Sequence, residues 1–310
     1  MKKRKTFSSN KVILQKHFDN LATSRNYWIN KSFGFYSEDI RAMKELIPEN
    51  SKILEIGCGN GQLIASLKPI HGVGIDISKN MIECARKEHQ NIEFIHADIE
   101  SISTIKSINT IFDFIIISDT IGYFEDIEKV LNSLHKLCNA DTRVIVAYYS
   151  PFWEPILNIA AKLKLKMSEL PKALLNEVDV SSLLEASKFE TVRKQNKIIF
   201  PYRALGIGRF LNRFIACLPI ISHFCIRNYV VARSLKEATK DLPNSATVII
   251  PCRNERGNIR NALERLPLFT KDIEIIFIEG HSQDGTWEEI KKVLKEKKFI
   301  DKGFKMLAFQ

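Results

Sequence analysis

A strand that runs into three closely spaced glycines, and then into a helix, can belong to few folds. Lys52-Ile-Leu-Glu-Ile56 is such a strand, and Gly57-Cys-Gly-Asn-Gly61 follows it at once. Glycine tolerates the left-handed backbone of a tight turn and lets the main chain approach a ligand closely. The helix that opens after the turn offers unpaired N–H groups at its N-terminus. The loop alone does not choose a cofactor, because dinucleotide sites use a similar one.

Its surroundings narrow the choice. The third glycine of a dinucleotide fingerprint would fall at Gln62. Glu55, just ahead of the loop, would repel a pyrophosphate but suits a cationic ligand. Asp76 ends the next strand, Gly72-Val-Gly-Ile-Asp76, where a carboxylate can accept hydrogen bonds from both ribose hydroxyls. Asp98, after a third strand at Asn91–Ile95, can accept from an adenine amino group. Together these acids describe a site for a cationic nucleoside.

The rhythm of the chain supports a sheet around that site. Helical periodicity led by Ser78 places Met81, Ile82 and Ala85 on one face. Phe112–Ser118 is nearly all apolar, as a central parallel strand buried on both faces should be. A helix with Ile127, Val130, Leu131 and Leu134 in register follows, then a strand at Thr142–Tyr148. Repeated strand–helix units of this length predict an α/β, doubly wound, Rossmann-like parallel sheet. An extended stretch at Phe189–Phe200 and a strand at Asn228–Arg233 are placed to pair as a closing hairpin.

The motifs ILEIGCGNG (Ile53–Gly61), VGIDIS (Val73–Ser78), HADIE (His96–Glu100) and FDFIIISD (Phe112–Asp119) resemble those of class I S-adenosylmethionine (SAM)-dependent methyltransferases. The resemblance covers roughly residues 18–234. It implies SAM as cofactor, with Glu55, Gly57, Gly59 and Gly61 at the methionine part. Asp76 with Ile77 would hold the ribose, Asp98 with Ile99 would frame the adenine, and Ser118 would line the same site. Asp119 and Tyr123 would face the methyl group and are the candidate catalytic residues; Tyr148 and Tyr149 come next. His96 reads as a structural histidine at a strand end. Tyr27 and Trp28 are positioned to cover the cofactor, and His223 would reach a site only if its segment folds over one.

At 310 residues the chain is longer than one average domain, so two units are expected. The divisions read from the sequence are a basic tail at 1–17, the methyltransferase domain at 18–234 and a linker at 235–246. A further unit follows at 247–310. Helical insertions are expected at about 151–177 and 202–227. The first carries Lys162, Lys164 and Lys166. The second sets Arg203, Arg209, Arg213 and Arg227 among apolar residues such as Leu205, Phe210 and Phe214, and Pro219 interrupts any single long helix. Such interleaving suits either packing on the core or a lid over a lipid-linked acceptor at a membrane surface.

Thr247–Ile259 and Ile273–Thr286 resemble the opening of a family 2 (GT-A) glycosyltransferase. The resemblance implies nucleotide-sugar contacts at Pro251, Arg253, Glu255, Glu279 and Asp284. It departs at Glu279-Gly-His281, where two aspartates and a glycine are commoner. Two helices on three strands bury a small core, so this α/β unit reads as truncated. The metal-binding acids of the family would lie downstream. Without a divalent metal to neutralise the leaving diphosphate, residues 247–310 are not expected to transfer sugar. Thr286-Trp-Glu-Glu289 reads as a capping box.

Lys and Arg number 46 against 36 Asp and Glu, a formal net charge of +10. A nucleic-acid methyltransferase is the reading this charge raises, and no Asn/Asp-Pro-Pro-Tyr motif accompanies it. No apolar run approaches the ~20 residues that span a bilayer, and no apolar segment follows the basic N-terminus. Six scattered cysteines without paired spacing read as buried, reduced thiols. The expectation is a cytoplasmic protein, either free or peripheral to a membrane, that methylates a small-molecule, glycan or lipid-linked acceptor. The alternative is a non-catalytic SAM-binding or docking module of a glycosyltransferase fusion.

Overall fold

The computed structural model describes residues 9–101, 104–105, 108–202, 206–238, 245–270 and 272–310. Met1–Lys5, Arg203, Leu205 and the linker residues Lys240, Asp241, Pro243 and Asn244 lie outside the described residues. The chain divides into two units, Met1–Thr239 and Lys240–Gln310.

Seven strands build the sheet of the first unit: β1 (Lys52–Ile56), β2 (His71–Asp76), β3 (Glu93–His96), β4 (Phe114–Ser118), β5 (Arg143–Tyr149), β6 (Phe189–Lys197) and β7 (Arg227–Ser234). Their order is β3-β2-β1-β4-β5-β7-β6. The first five are parallel; β7 runs antiparallel to β5, and β6 antiparallel to β7. The doubly wound sheet and the closing hairpin expected from the sequence are both present. Side chains alternate across the sheet, so Leu54, Ile115, Ile117 and Val144 enter one core while Ile53, Ile116 and Ile145 enter the other. Both faces are covered, which is why these strands carry unbroken apolar runs.

The chain leaves β1 in one direction toward β2 and β3, then returns to add β4 on the other side. That reversal opens a crevice at the C-terminal ends of β1 and β4, the usual ligand position of an open α/β sheet. Helices α1 (Ser9–Leu21), α2 (Arg25–Lys31) and α3 (Phe33–Lys44) precede the sheet. Helix α1 is anchored by Asp19, whose carboxylate accepts from Ser78 Oγ at 2.6 Å and Asn80 N at 3.0 Å. Helix α4 (Gln62–Ser66) follows the glycine loop. Helix α5 (Lys79–Glu88) is capped by Ser78, whose side chain accepts from the Met81 N–H. Residues 9–17, read from the sequence as part of a basic tail, belong to helix α1, and Lys11 on it is buried and paired.

The insertion near 151–177 is less helical than expected. A short turn at Pro151–Trp153 leads into the helix Glu154–Lys162, and no helix follows until Glu177. The stop is a Schellman motif: Leu165 N–H bonds Ala160 O and Lys164 N–H bonds Ala161 O. Lys164 occupies the left-handed position at φ 55°, a stop that no glycine announces in the sequence. Residues 206–222 form three short helical pieces, Ile207–Phe210, Leu211–Ile215 and Pro219–Ser222, the last begun by Pro219. Residues 235–238, read as linker, are a helical turn, and Ser245 and Ala246 already belong to β8.

The second unit is a parallel sheet of β8 (Ser245–Cys252), β9 (Asp272–Glu279) and β10 (Phe304–Phe309), with β9 in the middle. One face buries Ile273, Ile275 and Phe277 against Ile259 and Leu263 of the helix Ile259–Arg265 and Ile290 and Val293 of the helix Thr286–Val293. Pro251 lies on an edge strand, where its missing N–H is tolerated. The expected capping box at Thr286 does not form. The residue before the helix is Gly285 at φ 86°, and Asp284 accepts from the Thr286 N–H at 3.0 Å instead. Among the cysteines, Cys217 is exposed and Cys84 half-buried; Cys58, Cys138, Cys225 and Cys252 are buried.

Candidate active site

A cavity opens at the switch point, lined by the loop after β1, the ends of β2 and β4, and side chains from α1, α2 and α3. The three loop glycines all have positive φ, +75° at Gly57, +54° at Gly59 and +77° at Gly61, but for different reasons. A Cβ on Gly57 would fall 1.9 Å from Thr120 Oγ1, and one on Gly61 would fall 2.5 Å from the Phe94 ring. At Gly59 nothing lies within 4 Å. Gly57 and Gly61 are thus required by packing. Gly59 faces the cavity with room for a ligand, and Gly61 does not line it.

Asp76 turns its carboxylate back to the loop: Oδ2 accepts from Gly59 N at 2.8 Å and Oδ1 from Ser78 N at 2.8 Å. Burial raises its pKa, and the two N–H groups oppose that shift. Asp76 and Ile77 line the cavity, and a carboxylate that accepts two hydrogen bonds retains capacity for more. Glu55 is almost wholly buried and accepts from Ile64 N at 3.1 Å. Burial pushes its carboxyl up to about 8, with the Ile64 N–H working the other way. Such a group ionises readily only when a cation joins it.

Asp98 and Ile99 line the far end of the cavity. Asp98 Oδ2 accepts from Lys11 Nζ at 2.6 Å, and Oδ1 from Glu100 N at 3.0 Å. Lys11 also reaches Glu100 at 3.1 Å, so α1 is clamped over this end by an ion triad. Ser118 and Asp119 lie at the end of β4, and Tyr123 follows on a short turn. Asp119 has φ 57°, a costly conformation for a non-glycine residue. It is held there by Arg227, which is fully buried and donates to Asp119, to Ser118 Oγ at 2.7 Å and to Asp39 at 3.0 Å. Tyr229 donates to the same Asp39 oxygen at 2.5 Å.

Arg227 is therefore no surface arginine of the apolar insertion, as its sequence neighbours suggested. It is the first residue of β7 and reaches over β5 to the cavity wall. Asp119, already paired with it, is poorly placed to act as a free base. Burial raises the pKa of Tyr123 and of Tyr149, so neither hydroxyl ionises easily. The Tyr149 ring lies under three cations: Lys166 Nζ at 5.1 Å, Arg227 at 5.2 Å and Lys172 Nζ at 5.5 Å from its centroid. Burial opposes ionisation of Glu169, yet Lys166 and Lys172 hold its pKa at about 2.

Residues 47–199 match the family model of a methyltransferase domain. Residues 247–309 match the model of glycosyl transferase family 2. The first unit superimposes on a SAM-dependent methyltransferase from Thermotoga maritima with a TM-score of 0.54 at 17% identity, over 71% of this chain and 98% of that one. Residues 47–199 carry a methyltransferase domain, on the fold of that SAM-dependent enzyme. Magnesium protoporphyrin IX methyltransferase from Synechocystis, solved with S-adenosylhomocysteine bound, shares this fold at a TM-score of 0.50 and 16% identity, covering 73% of this chain and all of that one. In sequence the chain is similar to an uncharacterized protein of Rickettsia prowazekii, 38% identical over 125 residues, or 36% of this chain and 22% of that one. It is also similar to demethylmenaquinone methyltransferase of Chlorobaculum tepidum, 33% identical over 106 residues, or 31% of this chain and 40% of that enzyme. The matches span less than half the length of these curated relatives.

Within the methyltransferase domain, Glu55, Gly57, Gly59, Asp76, Ile77, Asp98, Ile99, Ser118, Asp119 and Tyr123 all line one cavity. Tyr149 joins them, whereas Tyr148 is buried in the core and does not line the cavity. Tyr27 and Trp28 do not line the cavity, and Tyr27 is largely exposed. His96 ends β3 with Nε2 against Ile77 O at 3.0 Å, and His223 stays local, with Nδ1 against Pro219 O at 2.8 Å. Arg25, Asp39 and Lys11 went unread in the sequence. They come from helices whose packing no local motif marks. Arg25 donates to Tyr36 Oη at 3.3 Å and approaches Met167 Sδ at 3.5 Å. Among the described residues it has no carboxylate within ion-pair distance.

In the second unit, Glu279 is buried at the end of β9 and its Oε1 accepts from Ser282 N at 2.6 Å. Its Oε2 has no hydrogen-bond partner, although the Gln310 side chain lies nearby. Asp284 ties two loops together through Arg256 N at 3.1 Å and Thr286 N. Glu255 and Arg253 lie on the exposed loop after β8, with the Arg253 stem over Gly280. Pro251 is exposed on β8 itself.

Proposed function

We propose that the methyltransferase domain transfers a methyl group from SAM to a small-molecule acceptor. The observation that carries this reading is the charge layout of the cavity: Arg25 and the buried acid Glu55 both line it, and among the described residues neither forms an ion pair. That pair suits the carboxylate and ammonium of an amino acid. Asp76 would take the ribose, with Gly59 leaving space beside it, and Asp98 with Ile99 would take the adenine. SAM supplies an activated methyl group on a sulfonium.

What the chain contributes is positioning. Methyl transfer is an in-line displacement, and fixing two reactants in line supplies much of the rate. Arg227 locks Asp119 and Ser118, which form the wall beside the methyl end. Tyr149 closes the other side with its ring polarised by the surrounding cations. Asp119 and Tyr123 act in this reading as framing groups, and the acceptor brings a nucleophile that needs no strong base.

For the second unit we propose a nucleotide-binding element in which the unpartnered Glu279 Oε2 meets a base or ribose and Arg253 a phosphate. Glu255 and Pro251 flank that position, while Asp284 shapes the loop. A divalent metal is not part of this proposal.

Calorimetric titration of S-adenosylhomocysteine (SAH), beside NADH, into the full chain and into Asp76→Ala tests the main reading. Two charge-assisted hydrogen bonds are at stake, so affinity should fall by about tenfold or more. Absence of SAH binding by the folded wild-type chain, or equal binding by Asp76→Ala, would overturn the reading.

A further inference from the structure

Among the described residues of the first unit, two segments carry many exposed apolar side chains. Phe152, Ile156, Ile159, Leu163 and Leu165 belong to the first; Ile207, Phe210, Phe214, Leu218, Ile220 and Phe224 belong to the second. Ile220 is 78% exposed and Leu163 65%. The segments adjoin: the Phe152 and Phe224 rings lie 5.5 Å apart, and Trp153 Nε1 donates to Phe224 O at 2.9 Å. The two exposed apolar segments therefore meet at Phe152 and Phe224, and clustered exposed apolar side chains mark an interaction surface.

Charge identifies the partner. No Asp or Glu occurs between Glu154 and Glu169, or between Glu190 and Glu237. Lys162, Lys164, Arg209 and Arg213 stand among the exposed apolar residues, and none of the four has an acidic partner among the described residues. Apolar side chains interleaved with unneutralised cations match the headgroup layer of an anionic bilayer. No described helix is long and apolar enough to cross a membrane, so the contact is one of surface docking.

We propose that this face docks on an anionic lipid surface and that the acceptor is an amphiphile drawn from it. The second part rests on the methyl-transfer reading. A groove between the helix Glu154–Lys162 and residues 166–174 is lined by Leu157, Ala161, Lys162, Leu170, Lys172 and Leu174. It shares Tyr149 and Glu169 with the cofactor cavity. An apolar body can lie along the leucines while an anionic group meets Lys162 or Lys172. The groove thus joins the docking face to the site of transfer.

The test is co-sedimentation of the full chain with phosphatidylcholine vesicles, with and without about 30% phosphatidylglycerol. SAH titration on each variant serves as a control for folding and for the cofactor site. Binding should require the anionic lipid and weaken with salt. Phe210→Glu with Phe214→Glu, and separately Arg209→Gln with Arg213→Gln, should each lower it by about tenfold or more, SAH affinity being unchanged. Failure of the wild-type chain to bind anionic vesicles while it binds SAH would overturn the docking face and leave the methyl-transfer reading intact. Equal binding by the variants, or a concentration-dependent dimer that buries the face, would also overturn it. Vesicle binding with SAH silent would support the docking face and overturn the methyl-transfer reading.

Discussion

Arg227 at the start of β7 and Asp119 at the end of β4 form an ion pair 108 residues apart in the chain. The guanidinium crosses above Tyr149 on the intervening β5, and the same side chain holds Asp39 of α3. One buried cation thereby ties the antiparallel edge of the sheet, a helix and the cavity wall together. Arg227→Met should leave Asp39 and Asp119 without their cation, Asp39 keeping only the Tyr229 hydroxyl, and cost about 3–5 kcal/mol of stability. Urea denaturation measures it, and a loss below about 1 kcal/mol would show that solvent already screens the network.

On the proposed reading, Glu55 should make SAH binding depend on pH. Its carboxyl is raised to about 8 in the folded chain from 4.5, so between these values the native state holds a proton that the unfolded state has lost. Stability from this group is full below about 4.5 and declines as pH rises toward about 8. A ligand ammonium favours the ionised form, so SAH affinity should rise over the same window and binding should release a proton. Calorimetry at pH 7 in buffers of different ionisation enthalpy would detect that release. Glu55→Gln should abolish it, and an unchanged proton count in the variant would refute the assignment.

The three loop glycines should separate in a stability and binding comparison. Gly59→Ala meets no neighbouring atom and carries only the strain of φ +54°, about 1–2 kcal/mol. It should nevertheless weaken SAH by about tenfold or more, because the methyl group enters the cavity. Gly61→Ala adds a clash with Phe94 to the same strain and should lose about 2–4 kcal/mol. Thermal melts with and without SAH distinguish the two; equal behaviour would contradict the separate roles.

In the second unit, Asp284→Ala removes the acceptor of the Arg256 and Thr286 amides. Hydrogen exchange at both amides should quicken while SAH affinity stays unchanged. Protection that persists would show the loops are held by other contacts.

Much of the fold was legible because its causes are local. Unbroken apolar runs such as Phe114–Ser118 mark strands buried on both faces, and Ser78 marks the start of α5. Gly57, Gly59, Asp76 and Asp98 were legible as a group because one loop and two strand ends place them. The helix stop at Lys164 was not, since a lysine entered the left-handed region that glycine usually signals. Nor was the mechanism of the turn at Thr286, where Asp284, two residues earlier, took the capping bond.

The amino-acid sequence by itself determined the parallel sheet, the glycine loop and the acids that follow it, because periodicity and turn chemistry act over a few residues. Only the tertiary structure decided that Lys11 closes over Asp98, that Arg25 enters the cavity and that Arg227 is buried against Asp119. Those pairs span 87 to 108 residues where they are bonded. Their partners are selected by the order of strands and the packing of helices, and no local pattern records which charge will be drawn out of water to meet another.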